Sequence, residues 1–406
     1  MTSVVSIGTY LPPWVGRGRG SRRVKGPDED ALTMAVAAGR AADPDASALR
    51  VVLVSRNFPL VEGGNGAVLL AALGLPGNVA VTEVLGGAPA VLDQILGAAP
   101  DTLVIGADDS ENAVGAAAVL TGKAGAEVAA RGRASRSLPL LARRDDGSRH
   151  TYPDPRLQRE VGVRATLAKL DLGGGTVVGV VGVSAGQLGR DFNTSGAVEE
   201  PTSSAAGVIR ALAAAIDNGS PGLLLTVEQA VMSVGEVTPG DIRISRDEVE
   251  PRELPDFKTA EGVGIPISMP AYSRAFEPKI RWEAAVFEER PGIDSAPQFP
   301  PRVRVDDSGT LASDYRLEPL PRTGTVYTHT TIRIPVPDLP SPYSLAVVQL
   351  DGSPVRALMK VTGVPAGEAM IGQAGAVVLR RIAVRAGIPD YGYAFWPGRS
   401  EEGVEA

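Results

Sequence analysis

Blocks of apolar residues alternate with polar, turn-forming stretches through the first 125 positions of the chain. Val4 to Gly8 is a short apolar strand run. Asp28 to Ala42 (DEDALTMAVAAGRAA) opens on acids and continues with good helix formers, the order expected at a helix N-terminus. Val51 to Ser55 (VVLVS) reads as a buried strand, Gly66 to Leu73 as a helix, Ala80 to Val84 as a strand, Ala88 to Ala99 as a helix and Thr102 to Ile105 as a strand. This alternation predicts a βαβ series on a parallel sheet. The same grammar returns after residue 155. Arg156 to Leu170 is a helix, Thr176 to Val183 (TVVGVVGV) a buried strand, Ser203 to Asn218 a long Ala-rich helix and Gly222 to Val227 a strand.

Two segments can be laid over each other: AVLDQILGAAPDTLVIGADDS, from Ala90 to Ser110, and GVIRALAAAIDNGSPGLLLTVEQA, from Gly207 to Ala230. Each is an apolar helix, a turn with Pro100 or Pro221, a buried strand and an acidic exit through Asp108 and Asp109 or Glu228. The reading is a two-fold repeated α/β unit, with generic βαβ patterning as its rival. From Arg290 to Pro321 the texture changes: six prolines interrupt any helix and most strands, which reads as a linker. Beyond it, Gly324 to Pro335, Tyr343 to Leu350, Val355 to Val361 and Ala376 to Val384 are strand-like runs, with Asp351-Gly352 as a hairpin turn. Four or five short strands with little helix suggest a small barrel.

With 44% hydrophobic and 21% charged residues in 406, the chain has the profile of a soluble globular protein rather than a disordered one. A net charge of −7 and no large basic face argue against nucleic acid as a partner. No run is long and apolar enough for a membrane helix, and MTSVVSIGTYLPP has no basic segment followed by a signal-type apolar core. The expectation is a cytoplasmic protein. Cysteine is absent, which removes thiolate nucleophiles, disulfides, zinc ribbons and iron–sulfur ligation together. The two histidines, His150 and His329, lie in no ligand-spaced motif and read as polar surface or strand residues.

Several motifs in order carry a resemblance. SIGTYLPP at the first strand, GPDEDALTMAVAAGRAA at the first helix, TEVLGGAPAVLDQI at the central helix, LVIGADDS after it, GAAAVLTG and YPDPRLQREVG make residues 1 to about 285 resemble the thiolase superfamily. The nearest branch is 3-hydroxy-3-methylglutaryl-CoA synthase. The resemblance implies a five-layered α-β-α-β-α fold of two similar halves. VDDSGTLASDYRLEPLPRTGTVYTHTTIRIP, YSLAVVQLDGSPVRALMKV, IGQAGAVVLRRI and YGYAFWP are similar to the OB-fold acyl-CoA-associated domain that accompanies such proteins. The expected domains are a thiolase-like domain over 1–290, with halves of about 1–155 and 156–290, a Pro-rich linker over 291–318, an OB-fold barrel over 319–397 and a frayed tail over 398–406. The cysteine zinc ribbon that usually precedes the barrel is missing, so no zinc is expected.

Thiolase-like enzymes use a cysteine at the head of the buried central helix, helped by a histidine and an acid/base group in the second half. The family's Cys-Tyr-Gly-Gly pattern falls here on Val84-Leu85-Gly86-Gly87, while the ketosynthase alignment places the cysteine on Ala88. Neither residue can attack a thioester. The histidine would fall near Ser184. The resemblance therefore points to a domain degenerate for Claisen chemistry. Glu83 is an acid/base remnant or a helix cap; Asp108, Asp109 and Ser110 leave a strand where α/β sites form, or cap a helix. Arg17, Arg19, Arg22, Arg23 and Lys25, spaced by glycines, together with Gly86 and Gly87, are candidates for the phosphates of coenzyme A, against a solvated loop as the rival. Arg131, Arg133, Arg136, Arg143 and Arg144 suit partner or phosphate contact, and Gly173-Gly174-Gly175, which precedes a strand, reads as a turn.

Three functions stay open. The first is a non-catalytic acyl-CoA-associated subunit, a homodimer through the thiolase-like domain, whose barrel docks a partner thiolase or acyltransferase and which holds coenzyme A or acyl-CoA only as a ligand. The second is a Cys-independent enzyme, a retro-aldolase or acyltransferase, drawing on Glu83, Asp108, Asp109, Tyr10 and Tyr272. The third is a structural scaffold that never contacts CoA.

Overall fold

A computed structural model describes residues 1–17, 22–61, 63–136, 141–151, 154, 156, 163–202, 204–229, 231–264, 276–385 and 387–400. The chain divides into two compact units, one of residues 1–11, 38–58 and 79–247, the other of 12–37, 59–78 and 248–406.

The first unit is a duplicated α/β body. Its first half supplies strands β1 (Thr2–Tyr10), β2 (Arg50–Ser55), β3 (Ala80–Leu85), β4 (Thr102–Ser110) and β5 (Ala113–Gly122). The second supplies β6 (Ala126–Ser135), β7 (Gly175–Val181), β8 (Val198–Glu200), β9 (Gly222–Glu228) and β10 (Val231–Thr238). In the first half the order across the sheet is β3-β2-β4-β5-β1, and in the second β8-β7-β9-β10-β6. Both are third, second, fourth, fifth, first, and in both the fifth strand runs antiparallel to its neighbours. Two independent halves would not share this order by chance patterning, so the repeat is real. The halves meet edge to edge where β1 pairs with β6, Thr2 opposite Val128 and Val4 opposite Ala126. A final strand, β11 (Arg243–Asp247), runs parallel to β1.

The helices complete the layers. Helix α1 (Ala31–Ala42) gives its last residues to this unit, where Ser6 donates its hydroxyl to the Ala42 carbonyl at 2.6 Å. Helices α2 (Ala88–Leu96) and α3 (Ala205–Asp217) occupy corresponding places in the two halves, between third and fourth strands, and pack on each other. Val91, Leu92 and Ile95 of α2 and Val208, Ile209 and Leu212 of α3 share one core with Val52, Val104, Val119 and Leu224 of the strands. Val163, Leu167 and Leu170 cover the opposite side of β7, β9 and β10 in a second cluster. The result is the five-layered α-β-α-β-α arrangement of two similar halves.

Two sequence expectations change here. The sheet is mixed, not parallel, because β4 and β5 are joined by Glu111 and Asn112 alone, and a two-residue link permits only an antiparallel return. The second half begins at β6, well before residue 156. Of the helix expected over Arg156 to Leu170, residues 157–162 lie outside the described residues, and Ala165–Leu167 is helical.

The second unit is built on a closed barrel of β12 (Thr323–Ile332), β13 (Tyr343–Leu350), β14 (Arg356–Val361), β15 (Ala374–Arg385) and β16 (Ile388–Pro397). The order is β12-β13-β14-β16-β15 and back to β12, with only β14 and β16 parallel. This is an OB-fold. Alternation in YSLAVVQL turns Ser344, Ala346, Val348 and Leu350 inward, a strict two-residue period on a curved sheet. The Pro-rich 291–318 stretch is a folded excursion instead of a bare linker. Strand Glu283–Val286 pairs with Arg316–Pro319, and Ala285, Phe287, Ile293 and Ala312 form a small core with Tyr315. Trp282 stacks on Phe299 and Tyr393 at 4.6 and 4.9 Å between ring centres and donates to the Pro321 carbonyl at 2.8 Å. Residues 26–33 are also tied to the barrel. The buried Arg380 guanidinium lies 3.5 Å from Glu29 and 3.9 Å from Asp28, and the Tyr391 hydroxyl donates to Asp30 at 2.9 Å.

Candidate functional site

In a duplicated α/β body the ends of the fourth strands face the heads of the central helices, and both places in the first unit carry carboxylates. Asp108, near the end of β4, crosses to the second half. Its oxygens accept from the Ser204 hydroxyl at 2.6 Å and from the backbone N–H groups of Ala205 and Ala206 at 3.0 and 2.9 Å. Ser204 in turn accepts from the Gly207 N–H at 2.9 Å as the N-cap of α3. Gly106 makes the approach possible, since a Cβ there would stand 2.6 Å from the Ala205 carbonyl oxygen.

Glu228, at the end of β9, makes the opposite crossing. One carboxylate oxygen accepts from the Gly87 N–H at the head of α2 at 2.8 Å, and the other lies 2.9 Å from Arg56 Nε. The two acidic exits that the sequence overlay aligned are therefore reciprocal caps, each half closing the central helix of the other. Arg56 and Ser204 were not singled out in the sequence. Ser204 was findable as a serine directly before a helical run, whereas Arg56 becomes visible only when β2 and β9 are placed in space.

The head of α2 is where the resemblance puts the nucleophile. Gly86 donates to the Ser55 carbonyl at 3.1 Å, Val84 is half-buried, and Ala88 is fully buried as the first helical residue. A helix N-terminus attracts anions through its free N–H groups and dipole. Here Glu228 takes the Gly87 N–H. At the expected histidine position, Ser184 caps a short helical turn with Gln187. Glu83 lies half-buried on β3 opposite Leu53, and Asp109 lies half-buried at the end of β4. Tyr10 is fully buried on β1, and Tyr272 lies outside the described residues.

The arginine candidates belong to the second unit. Arg17 bridges Glu253 at 2.6 Å and Asp256 at 2.9 Å, and hydrogen bonding to Asp256 strengthens its hold on its proton. Arg23 donates to the carbonyls of Pro12 and Val249 at 2.8 and 2.7 Å, tying three chain segments together. Arg22 is exposed, and Arg19 lies outside the described residues. Gly86 and Gly87 belong to the first unit. Of the second basic stretch, Arg133 pairs with Asp93 at 2.8 Å, Arg131 lies 3.6 Å from Glu236, and Arg144 meets His150 Nδ1 at 3.1 Å.

Residues 317–380 match the family model of the ChsH2 C-terminal OB-fold domain. That segment runs from just before β12 into β15. No curated protein matches the chain. Among solved structures, 3-oxoacyl-[acyl-carrier-protein] synthase III from Aquifex aeolicus is similar at 16% identity and a TM-score of 0.48, over 58% of this chain and 99% of that one. Cerulenin-bound OleA from Xanthomonas campestris is similar at 14% identity and 0.46, over 58% and 96%. The Ltp2-ChsH2(DUF35) aldolase is similar at 19% identity and 0.24, over 31% and 93%.

Proposed function

We propose that this chain is an acyl-CoA-associated subunit related to 3-hydroxy-3-methylglutaryl-CoA synthase, without Claisen chemistry of its own, whose barrel docks a partner thiolase or acyltransferase. The observation that carries the reading is the head of α2: no nucleophile stands at Val84 or Ala88, and the Glu228 carboxylate accepts the Gly87 N–H. Binding energy cannot replace a missing nucleophile. A resident carboxylate also repels the oxyanion or thiolate that the helix dipole would otherwise favour. The match of 317–380 to an OB-fold domain of ChsH2 supports a role inside a thiolase-type assembly. On this reading the thiolase-like body forms a homodimer, and coenzyme A or acyl-CoA is a ligand, not a substrate.

Native mass spectrometry of the protein from its own host, with bound chains identified, tests the docking role. A stoichiometric cysteine-bearing thiolase or acyltransferase is expected. A lone chain that turns over acyl-CoA at enzyme-like rates would overturn the proposal and favour a Cys-independent enzyme. Calorimetry with acetyl-CoA separates a CoA-binding subunit from a scaffold, which should release no heat beyond dilution.

A further inference from the structure

The second unit contains a cavity of about 560 Å³ with no part in the site above. It lies against the barrel where β13 begins and β14 ends, and is closed by residues of the 337–342 and 362–366 loops and by the end of β15. OB barrels take ligands on this face of their second and third strands, between the loops joining strands one to two and four to five. The lining is largely apolar, with Phe257, Pro342, Val361, Val364 and Ile382 among its residues. Its titratable and charged groups are Asp28, Glu261, Asp338, Tyr343, Lys360 and Arg381.

Lys360 is unusual among these. Along β14, Arg356 and Leu358 are exposed while Ala357 and Met359 are buried, so Lys360 falls on the outward face, where it is half-buried and lines the cavity. Its ammonium nitrogen donates to the Ile382 carbonyl at 3.1 Å and sits 5.1 Å from the centre of the Tyr343 ring. Among the described residues no carboxylate comes within ion-pair distance of it. Arg381, by contrast, donates to the Pro27 carbonyl at 3.1 Å. A charged ammonium in such surroundings is costly unless paired. Burial accordingly pushes Lys360 below the ordinary lysine range, against a weaker opposing pull from Asp28. A deprotonated lysine amine carries a lone pair and attacks carbonyl carbon readily.

We propose that Lys360 is a nucleophilic amine in a carbonyl-binding pocket, which holds a small, largely apolar aldehyde or ketone as an imine. The Nζ lone pair forms a C–N bond to the carbonyl carbon while the C–O π pair moves to oxygen. Proton transfer from nitrogen to oxygen gives the carbinolamine. A second proton, lent by a neighbouring acid, expels the hydroxyl as water while the nitrogen lone pair closes the C=N bond, and the resulting iminium returns its N–H proton to that group to leave the imine. Water is the sole leaving group, and no oxidant or reductant enters. Tyr343 and Asp28 line the same cavity and can relay these protons.

The test treats the full chain with acetylacetone, which converts such an amine, by the same loss of water, into a conjugated enaminone that needs no reduction and absorbs in the near ultraviolet. Peptide mapping should place the label on Lys360 in preference to the other five lysines and at a faster rate near neutral pH. The rate should reach half its maximum below the usual lysine value of about 10.4. Lys360→Arg and Lys360→Met should both lose the near-ultraviolet band. If these variants fail to fold, the map of the wild-type chain decides alone. A label spread over exposed lysines with Lys360 unmodified, or a half-maximum at the ordinary value, overturns the proposal. Neither result bears on whether the α2 head is catalytic.

Discussion

Replacing Asp108 by alanine removes the carboxylate that closes the head of α3 and orphans two backbone N–H groups and the Ser204 hydroxyl in a place where Asp108 is 5% exposed. Loss of an N-terminal cap costs about 1 to 2 kcal/mol, and each donor left buried and unsatisfied costs about 1 to 3. These terms overlap, because Ser204 still accepts from Gly207 and keeps part of the cap. The expected loss is about 3 kcal/mol for Asp108→Ala and roughly half of that for Asp108→Asn, whose remaining carbonyl oxygen can take one donor. Glu228→Ala should cost only about 1 kcal/mol, since its ion pair with Arg56 is partly solvated. Urea unfolding followed by far-ultraviolet circular dichroism measures the change, and hydrogen exchange over 204–217 locates it. Tryptophan fluorescence reads only the second unit, where Trp14, Trp282 and Trp396 all lie. Asp108→Ala within about 0.5 kcal/mol of wild type, with 204–217 still protected, would refute the capping argument. A stable Asp108→Ala chain that had lost an acyl-CoA reaction would instead make this carboxylate catalytic.

Arg380→Met strands Glu29 and Asp28 without their buried cation and should destabilise the second unit by about 3 kcal/mol, read by tryptophan fluorescence during unfolding; a shift of under about 1 would sink the role given to this cluster. Gly363→Ala puts a Cβ 2.0 Å from the Trp396 ring at a φ of +73°, so a loss of about 2 kcal/mol or more is expected, with a changed near-ultraviolet Trp signal. Hydrogen bonding from Arg290 holds the exposed Asp314 carboxyl down to about 2. Its folded-state pKa is depressed, so the contribution of this clasp is complete above about pH 4 and fades as the pH falls toward 2. Arg290→Ala should return the Asp314 midpoint to the ordinary range in an NMR titration; an unmoved midpoint would place the cause elsewhere.

Elements with a strong period were legible from the sequence. The runs VVLVS, TVVGVVGV and YSLAVVQL announced strands, and the two Ala-rich central helices announced themselves as a pair. The sequence does not mark β5 as a strand, because AVGAAAVLTG is rich in alanine and glycine and takes its conformation from pairing with β1 and β4 rather than from its own propensity. Misplacing the second half by some thirty residues followed directly, since β6 reads AEVAARGRAS, with polar side chains on its outer positions. Prolines misled at 291–318, where the chain folds around Phe287 and Tyr315 instead of spanning open space. The acidic exits were legible as a pair, but their crossing was not. Asp108 meets Ser204 and Glu228 meets Gly87 across 96 and 141 positions of sequence, a relation that exists only after duplication has placed the two halves face to face. Arg17, whose glycine-spaced surroundings suit either a phosphate ligand or a solvated loop, meets Glu253 and Asp256 by the same kind of long return.

The reciprocal caps limit what the two helix heads have left to offer a reacting group. An enzyme that uses a helix head to stabilise a thiolate or an oxyanion must leave those N–H groups available to the reacting atoms. At the head of α2 the charge is already supplied by Glu228 and balanced by Arg56; at the head of α3 it is supplied by Asp108 and shared with Ser204. Both heads are met by a carboxylate from the same strand position of the opposite half, Asp108 taking the N–H groups of Ala205 and Ala206 and Glu228 that of Gly87 alone. A cysteine restored at 84 or 88 alone would find the Gly87 N–H already held by the Glu228 carboxylate, whose charge Arg56 offsets. On the proposed reading, the head of α2 departs from acyl transfer in its occupied Gly87 N–H as well as in the absence of a sulfur atom. Glu228 ties the end of β9 to the head of α2, and Asp108 ties β4 to α3. What the duplication keeps is the mutual locking of the two central helices through carboxylates of the opposite half.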